Sequence, residues 1–192
     1  MSNYVIWARQ IINGAASLSG MTGYPEQWRL MDGLPDKDNF PSSARLDMNP
    51  EYPNDLALTD SLYNKDMLIV ASPKLRELLE GLAVPCVEYI PVSVFNHKGR
   101  PVDPPYVIAH PIEPIDCLDA TASGVEYSLI DPDTIDSVES LVIDESRIDP
   151  ARLLFRPKGY PDVILAHRTL AAQVDAAGIT GVRWIELSDW PE

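Results

Sequence analysis

The order of apolar and polar positions divides the chain into short elements of two periods. "YVIW" (Tyr4 to Trp7) is a compact apolar run with β character and predicts an opening strand. "MLIV" (Met67 to Val70) reads as a buried-type strand. Ser72 then stands where a helix N-cap belongs, and Pro73 follows at the first helical position, where a missing N–H does no harm. Leu75, Leu78, Leu79 and Leu82 recur at helical spacing and make one apolar stripe. Pro85 marks the stop, and "CVEYIPVSVF" (Cys86 to Phe95) returns as a strand.

The same strand–helix–strand pattern recurs near the C-terminus. Sliding the chain so that Val70 falls on Leu165, a shift of 95 positions, lays "LIVASPKLRELLEGLAVPCVEYIPV" without a gap on "VILAHRTLAAQVDAAGITGVRWIEL". Leu75 then meets Leu170, Val87 meets Val182, and Tyr89 meets Trp184. Duplication and convergence on a common motif both account for the match. Either way, two apolar helix faces each need a sheet to cover. The units run over about 66–95 and 161–188, and the expectation is that they pack as related halves of one domain spanning 1–192. Leu75, Leu78, Leu79, Leu170 and Val174 are expected in its core.

"PYVIAHPI" (Pro105 to Ile112) and "SLVIDES" (Ser140 to Ser146) read as further strands, with a loop between them. Arg29 to Pro53, dense in Pro, Asp, Asn and Ser, reads as an ordered loop that wraps the core. The fold class expected is α+β, with a mixed, largely antiparallel sheet.

Charge narrows the possible partners. Fifteen Lys and Arg against 29 Asp and Glu give −14, a surface that repels nucleic acid and anionic lipid and attracts a basic partner. The excess is local. From Pro111 to Pro150 there are eleven acids and one base, Arg147, a net −10 in about a fifth of the chain. No run approaches the roughly 18 apolar residues that cross a membrane. The N-terminal stretch is broken by Arg9, Gln10 and Asn13, unlike a secretory signal, and the two cysteines are unpaired in pattern, so a cytoplasmic location is expected.

Motifs for chemistry are absent. Cys86, His97, His110 and Cys117 lie 11, 13 and 7 positions apart, not in the close pairs of a structural zinc site. "NHKGRPVDPP" fits a hairpin connection better, with His97, Lys98 and Arg100 at a solvated tip. A calcium loop starting at Asp131 would need glycine at Asp136 and glutamate at Val142. No G-x-S-x-G is present, and "NGAASLSG" lacks the lysine of a phosphate-binding loop. No cofactor or metal is expected, and catalysis is left only the option of a carboxylate pair that no motif marks.

Six phrases carry a resemblance: "QWRLMDGLP", "MLIVASPKLRELLE", "VEYIPVSVFNHKGRPV", "DCLDATASGVEYS", "IDPARLLFRPKGYPDVILAHRTL" and "GITGVRWIEL". In this order they resemble an immunity-protein family of bacterial polymorphic toxin systems, typified by a myxobacterial member and formerly a domain of unknown function. The likeness runs from about Tyr4 to Trp190. Its recurring C-terminal pattern joins "LFR" (Leu154 to Arg156) to Gly178 and Gly181, which bracket a tight helix-to-strand turn. The resemblance implies a non-enzymatic antidote that binds a cognate toxin, often a nuclease of the His-containing treble-clef type. An adaptor that loads a secreted effector, or a small enzyme with an unseen carboxylate site, are the alternatives. A basic nuclease groove would complement the acidic stretch, so Asp116, Asp119, Glu126, Tyr127, Asp131, Asp133, Asp136 and Glu139 are the expected toxin-binding residues. An acidic surface kept for solubility would have the same composition.

Overall fold

The computed structural model describes residues 2–130 and 135–190. Among them the strands are β1 (Tyr4–Arg9), β2 (Ser17–Leu18), β3 (Arg45–Asp47), β4 (Ser61–Asn64), β5 (Ile69–Ala71), β6 (Val87–Phe95), β7 (Tyr106–Pro111), β8 (Glu126–Tyr127), β9 (Ile135–Ser137), β10 (Leu154–Phe155), β11 (Leu165–His167) and β12 (Val182–Ile185). The helices are α1 (Trp28–Met31), α2 (Pro73–Gly81) and α3 (Arg168–Ala176). A six-stranded sheet has the order β2-β4-β5-β7-β6-β3, and a four-stranded sheet the order β10-β11-β1-β12. β8 and β9 pair alone. The class is α+β and the pairing mostly antiparallel, with β2–β4 and β3–β6 parallel. The strands divide among three sheets instead of forming the single sheet expected.

The two units correspond position by position. Helix α2 starts at Pro73 behind Ser72, whose Oγ accepts from the Leu75 N–H. Helix α3 starts 95 positions later, at Arg168, behind His167, whose Nδ1 accepts from the Thr169 N–H. The exits match as well. Val84 N–H bonds Leu79 O at 3.2 Å, and Ile179 N–H bonds Val174 O at 3.2 Å. Ala83 and Cys86 take positive φ of 50° and 55°, and their counterparts Gly178 and Gly181 take 61° and 87°. Gly181 also permits a close approach, since a Cβ there would stand 2.2 Å from the Ser61 carbonyl oxygen.

In each unit the two parallel strands flank an antiparallel one. β5 and β6 enclose β7, with Ile108 opposite both Val70 and Ile90. β11 and β12 enclose β1, with Ile6 opposite both Leu165 and Ile185. These registers are equivalent, but the central strand follows its unit in one half and precedes it by more than 150 residues in the other. A periodicity argument confined to neighbouring segments does not reveal that permutation.

Both helices face one shared core. Val5, Trp7, Ile69, Ala71, Leu75, Leu79, Val107, Ala109, Ile164, Ala166, Leu170 and Val174 are all buried there. Leu78 is half-buried and packs at the edge, a correction to the expected core. Trp7 and Trp184 meet edge-on with ring centroids 5.2 Å apart. The opposite sheet faces are covered by irregular chain. Residues from Ala16 to Met48 close over Val70, Ile90 and Ile108. The Arg29–Pro53 loop therefore wraps the core as expected, although it contains β3 and the end of α1. Segments between Ile115 and Val163 close over Ile6, Leu165 and Ile185.

The halves are also bolted at Asp60. Its carboxylate accepts from Thr180 N and Oγ1, both at 2.9 Å, and from Ser72 Oγ at 2.8 Å, with Lys74 Nζ 3.8 Å away. Burial works to raise this carboxyl's pKa, but the hydrogen bonds from Thr180 and Ser72 and the Lys74 charge outweigh it and leave it lowered.

Two outcomes are expected. Leu79→Ala should cost about 2–5 kcal/mol in urea unfolding, the usual loss for a buried leucine. A loss below about 0.5 kcal/mol would place α2 on the surface. Because the Asp60 pKa is depressed in the folded state, its stabilisation is full above the ordinary carboxylate range and vanishes as pH falls through the lowered value. Asp60→Asn should therefore lower the urea midpoint at about pH 7 and have little effect at about pH 2. An equal effect at both would remove the charge from the bolt.

Candidate functional site

The acidic stretch is a cover with an apolar underside. Cys117, Leu118, Val138, Leu141 and Ile148 are buried against β1, β11 and β12, with Val125 and Ile135 packed at the margin. Between them Asp116, Asp119, Glu126, Asp136 and Glu139 are exposed. The alternation explains the composition. The sheet face demands the apolar positions, and the remaining positions meet solvent.

Backbone hydrogen bonds knit four of these acids into one substructure. Asp119 N–H bonds Val142 O at 2.9 Å, Ser123 N–H bonds Asp119 O at 2.8 Å, and Glu139 N–H bonds Ser123 O at 2.9 Å. Glu126 lies opposite Ser137 in the β8–β9 hairpin and accepts from its Oγ at 2.9 Å, while Tyr127 lies opposite Ile135. Asp119, Glu126, Asp136 and Glu139, with Tyr127, are thus gathered on the outer side of one turn-and-hairpin unit. Asp116 stands apart, 3.9 Å from Arg147. Asp131 and Asp133 lie outside the described residues. The loop expected between Pro105–Ile112 and Ser140–Ser146 is this hairpin. Ser140–Ser146 is not a strand but an irregular return, held by a single bridge from Ile143 to Leu118, before a 3-10 turn at Glu145–Arg147.

Other acids of the stretch serve the fold. Glu145 accepts from Ser2 Oγ at 2.6 Å and from Asn3 N at 3.0 Å. Its carboxyl pKa stays below the ordinary value although burial pushes it up, because those hydrogen bonds prevail. Asp144 caps the 3-10 turn through Ser146, and Glu113 stands 3.6 Å from Arg152. Two features of this region escaped the sequence reading: Leu129 and Ile130, nearly fully exposed after β8. The signal was present, as an apolar pair within a polar, turn-rich stretch.

The histidines and cysteines do not converge. His110 is buried on β7, with Nε2 2.9 Å from the Leu34 carbonyl oxygen, and burial lowers its pKa. His97 is half-buried beside the β6–β7 turn, a correction to the solvated position expected, while Lys98 and Arg100 are exposed. Among the described residues no group of three His, Cys, Asp or Glu is placed to hold a metal ion. Two adjoining clefts of about 370 and 380 Å³ share Arg9, Ser61 and Tyr63, and neither is lined by histidine or cysteine. Arg156 is fully buried, donating to the Pro161 and Met67 carbonyls, and burial lowers its pKa to about 10. It serves to tie the end of β10 to the turn before β5. No helix among the described residues is long and apolar enough to cross a membrane.

Residues 8–189 match the model of an immunity protein family, Imm11. The chain belongs to that family. No curated protein matches it. Membership makes this an immunity protein and implies a cognate toxin as its partner, in keeping with the resemblance carried by the six phrases. It also favours a binding role over a catalytic one.

The cover can be probed through its cysteine. Cys117 is fully buried beneath it, and burial, with the Asp116 charge, pushes the thiol up to about 12. Cys86 is raised by burial and by the hydrogen bond it donates to Glu113 at 3.3 Å. Both stay thiols at neutral pH, which slows attack on a disulfide reagent. Ellman's reagent is expected to modify native Cys86 slowly and Cys117 only after unfolding in urea. Prompt labelling of native Cys117 would mean that the acidic cover opens freely.

Proposed function

We propose that this immunity protein neutralises its cognate toxin by direct binding in the cytoplasm. The acidic hairpin unit would occlude the basic substrate groove of a nuclease domain. The observation that carries the reading is the gathering of Asp119, Glu126, Asp136 and Glu139 with Tyr127 on one ordered unit, anchored from below by Leu118, Val138 and Leu141. A charged face held by a packed underside is preorganised, so binding loses less ordering entropy than it would with a mobile acidic tail. Charges of one sign also speed encounter with a basic surface and repel acidic ones. The Arg29–Pro53 loop meets the acidic stretch where the Glu113 N–H bonds the Gly33 carbonyl, and there it can extend the surface.

Replacing Asp131, Asp133, Asp136 and Glu139 together with Asn or Gln is the decisive experiment. The circular dichroism spectrum should be unchanged. Association with the toxin should slow by about tenfold or more and lose most of its salt dependence, because exposed rim charges act on the on-rate. Cells producing the toxin should lose protection. Wild-type kinetics with full protection would remove this unit from the interface and favour a surface kept for solubility.

A further inference from the structure

The hairpin of β8 and β9 presents two consecutive apolar residues with nothing over them. Leu129 and Ile130 are 102% and 96% exposed, and Tyr127 just before them is 51% exposed. Folding does not account for the pair. The hairpin's packing contacts come from Val125 before β8 and Ile135 on β9, which lie against the buried cluster under the acidic cover. Ile11, at 86%, is comparably bare but stands alone, flanked by a polar residue and a half-buried one. An adjacent pair of bare aliphatic side chains lowers solubility and commonly marks a contact surface. A surface selected only for solubility would not leave them bare within its most acidic segment.

The surroundings specify the partner's chemistry. Glu126 precedes the pair on β8 and Asp136 follows it on β9. Between Pro111 and Pro150 the only base is Arg147, which stands 3.2 Å from Asp144 and 3.9 Å from Asp116. An apolar tip inside an acidic collar complements an apolar pocket rimmed by lysine or arginine. We propose that the hairpin is a plug: Leu129 and Ile130 enter such a pocket on the cognate toxin while the collar acids meet its basic rim. This rests on reading the acidic unit as the toxin-facing surface, and it adds the residues that hold the complex once formed. The two parts have separate kinetic roles. Collar charges set the rate of encounter, and a desolvated apolar centre sets the rate of escape.

The test uses the full-length protein and a catalytically inactivated form of its cognate toxin, with both rate constants read by surface plasmon resonance. One variant carries Leu129→Ser and Ile130→Ser. The other carries Glu126→Gln, Asp136→Asn and Glu139→Gln. All five positions are exposed, so both variants should keep the native circular dichroism spectrum. The tip variant is expected to dissociate about 30-fold faster or more, with association within about threefold of wild type. The collar variant should associate about tenfold slower, with little change in dissociation. If the tip variant dissociates at the wild-type rate while the collar variant still slows association, the plug is overturned and the acidic surface stands. If neither variant changes either rate, both readings fall.

Discussion

The shared core between α2 and α3 is the constraint on which the rest depends. Each helix is nine residues long, too short to persist alone in water. Each gains its stability by laying an apolar stripe on a sheet whose other face must then be closed as well. Because the two helix-bearing faces point into one core, both remaining faces look outward. One has only the four-residue α1, through Leu30, and the other has no α-helix over it among the described residues. The fold meets that demand with two irregular layers, one drawn from Ala16–Met48 and one from Ile115–Val163.

This division places invention and conservatism in different parts of the chain. In the central core Leu75 and Leu79 have Leu170 and Val174 as counterparts, so a change at Leu75 or Leu170 disturbs packing shared by both helices. The outer layers owe the sheet only a sparse set of apolar anchors, such as Cys117, Leu118, Val138, Leu141 and Ile148. Most of the described positions between the anchors face water and are free to take on charge. In this protein the layer over β1, β11 and β12 includes most of the Pro111–Pro150 stretch with its net −10. The layer over β7 has instead buried Asp36, which accepts from Tyr24 Oη and from Arg29 Nε at 2.7 Å.

Regular periodicity made the helical half of the fold legible. The Ser72 cap, the Pro73 start, the leucine stripe and the 95-position repeat all reappear at matching backbone positions. What resisted reading lacks a period. β8 and β9 are two and three residues long, below the length at which alternation can be told from chance, so their hairpin read as a loop. Ser140–Ser146 looked strand-like because its apolar residues serve as anchors to a sheet face, not because they pair. The Asp60 bolt joins residues 120 positions apart, and nothing local to Asp60 or Thr180 advertises it. The concentration of the acids was legible as composition, whereas the exposure of Leu129 and Ile130 is a property of the folded chain that composition does not carry.

The placement of β1 has a consequence for biosynthesis. It leaves the ribosome about 155 residues or more before its two neighbours, β11 and β12. The first unit and its central strand β7 are contiguous and have all their strands by Pro111. The acidic layer emerges next and has no complete sheet to rest on until β11 and β12 follow, because the face it covers is built from β1, β11 and β12. The acidic layer can therefore pack fully only after β12 has been made, and a copy cut short before α3 is left with an unsupported acidic cover.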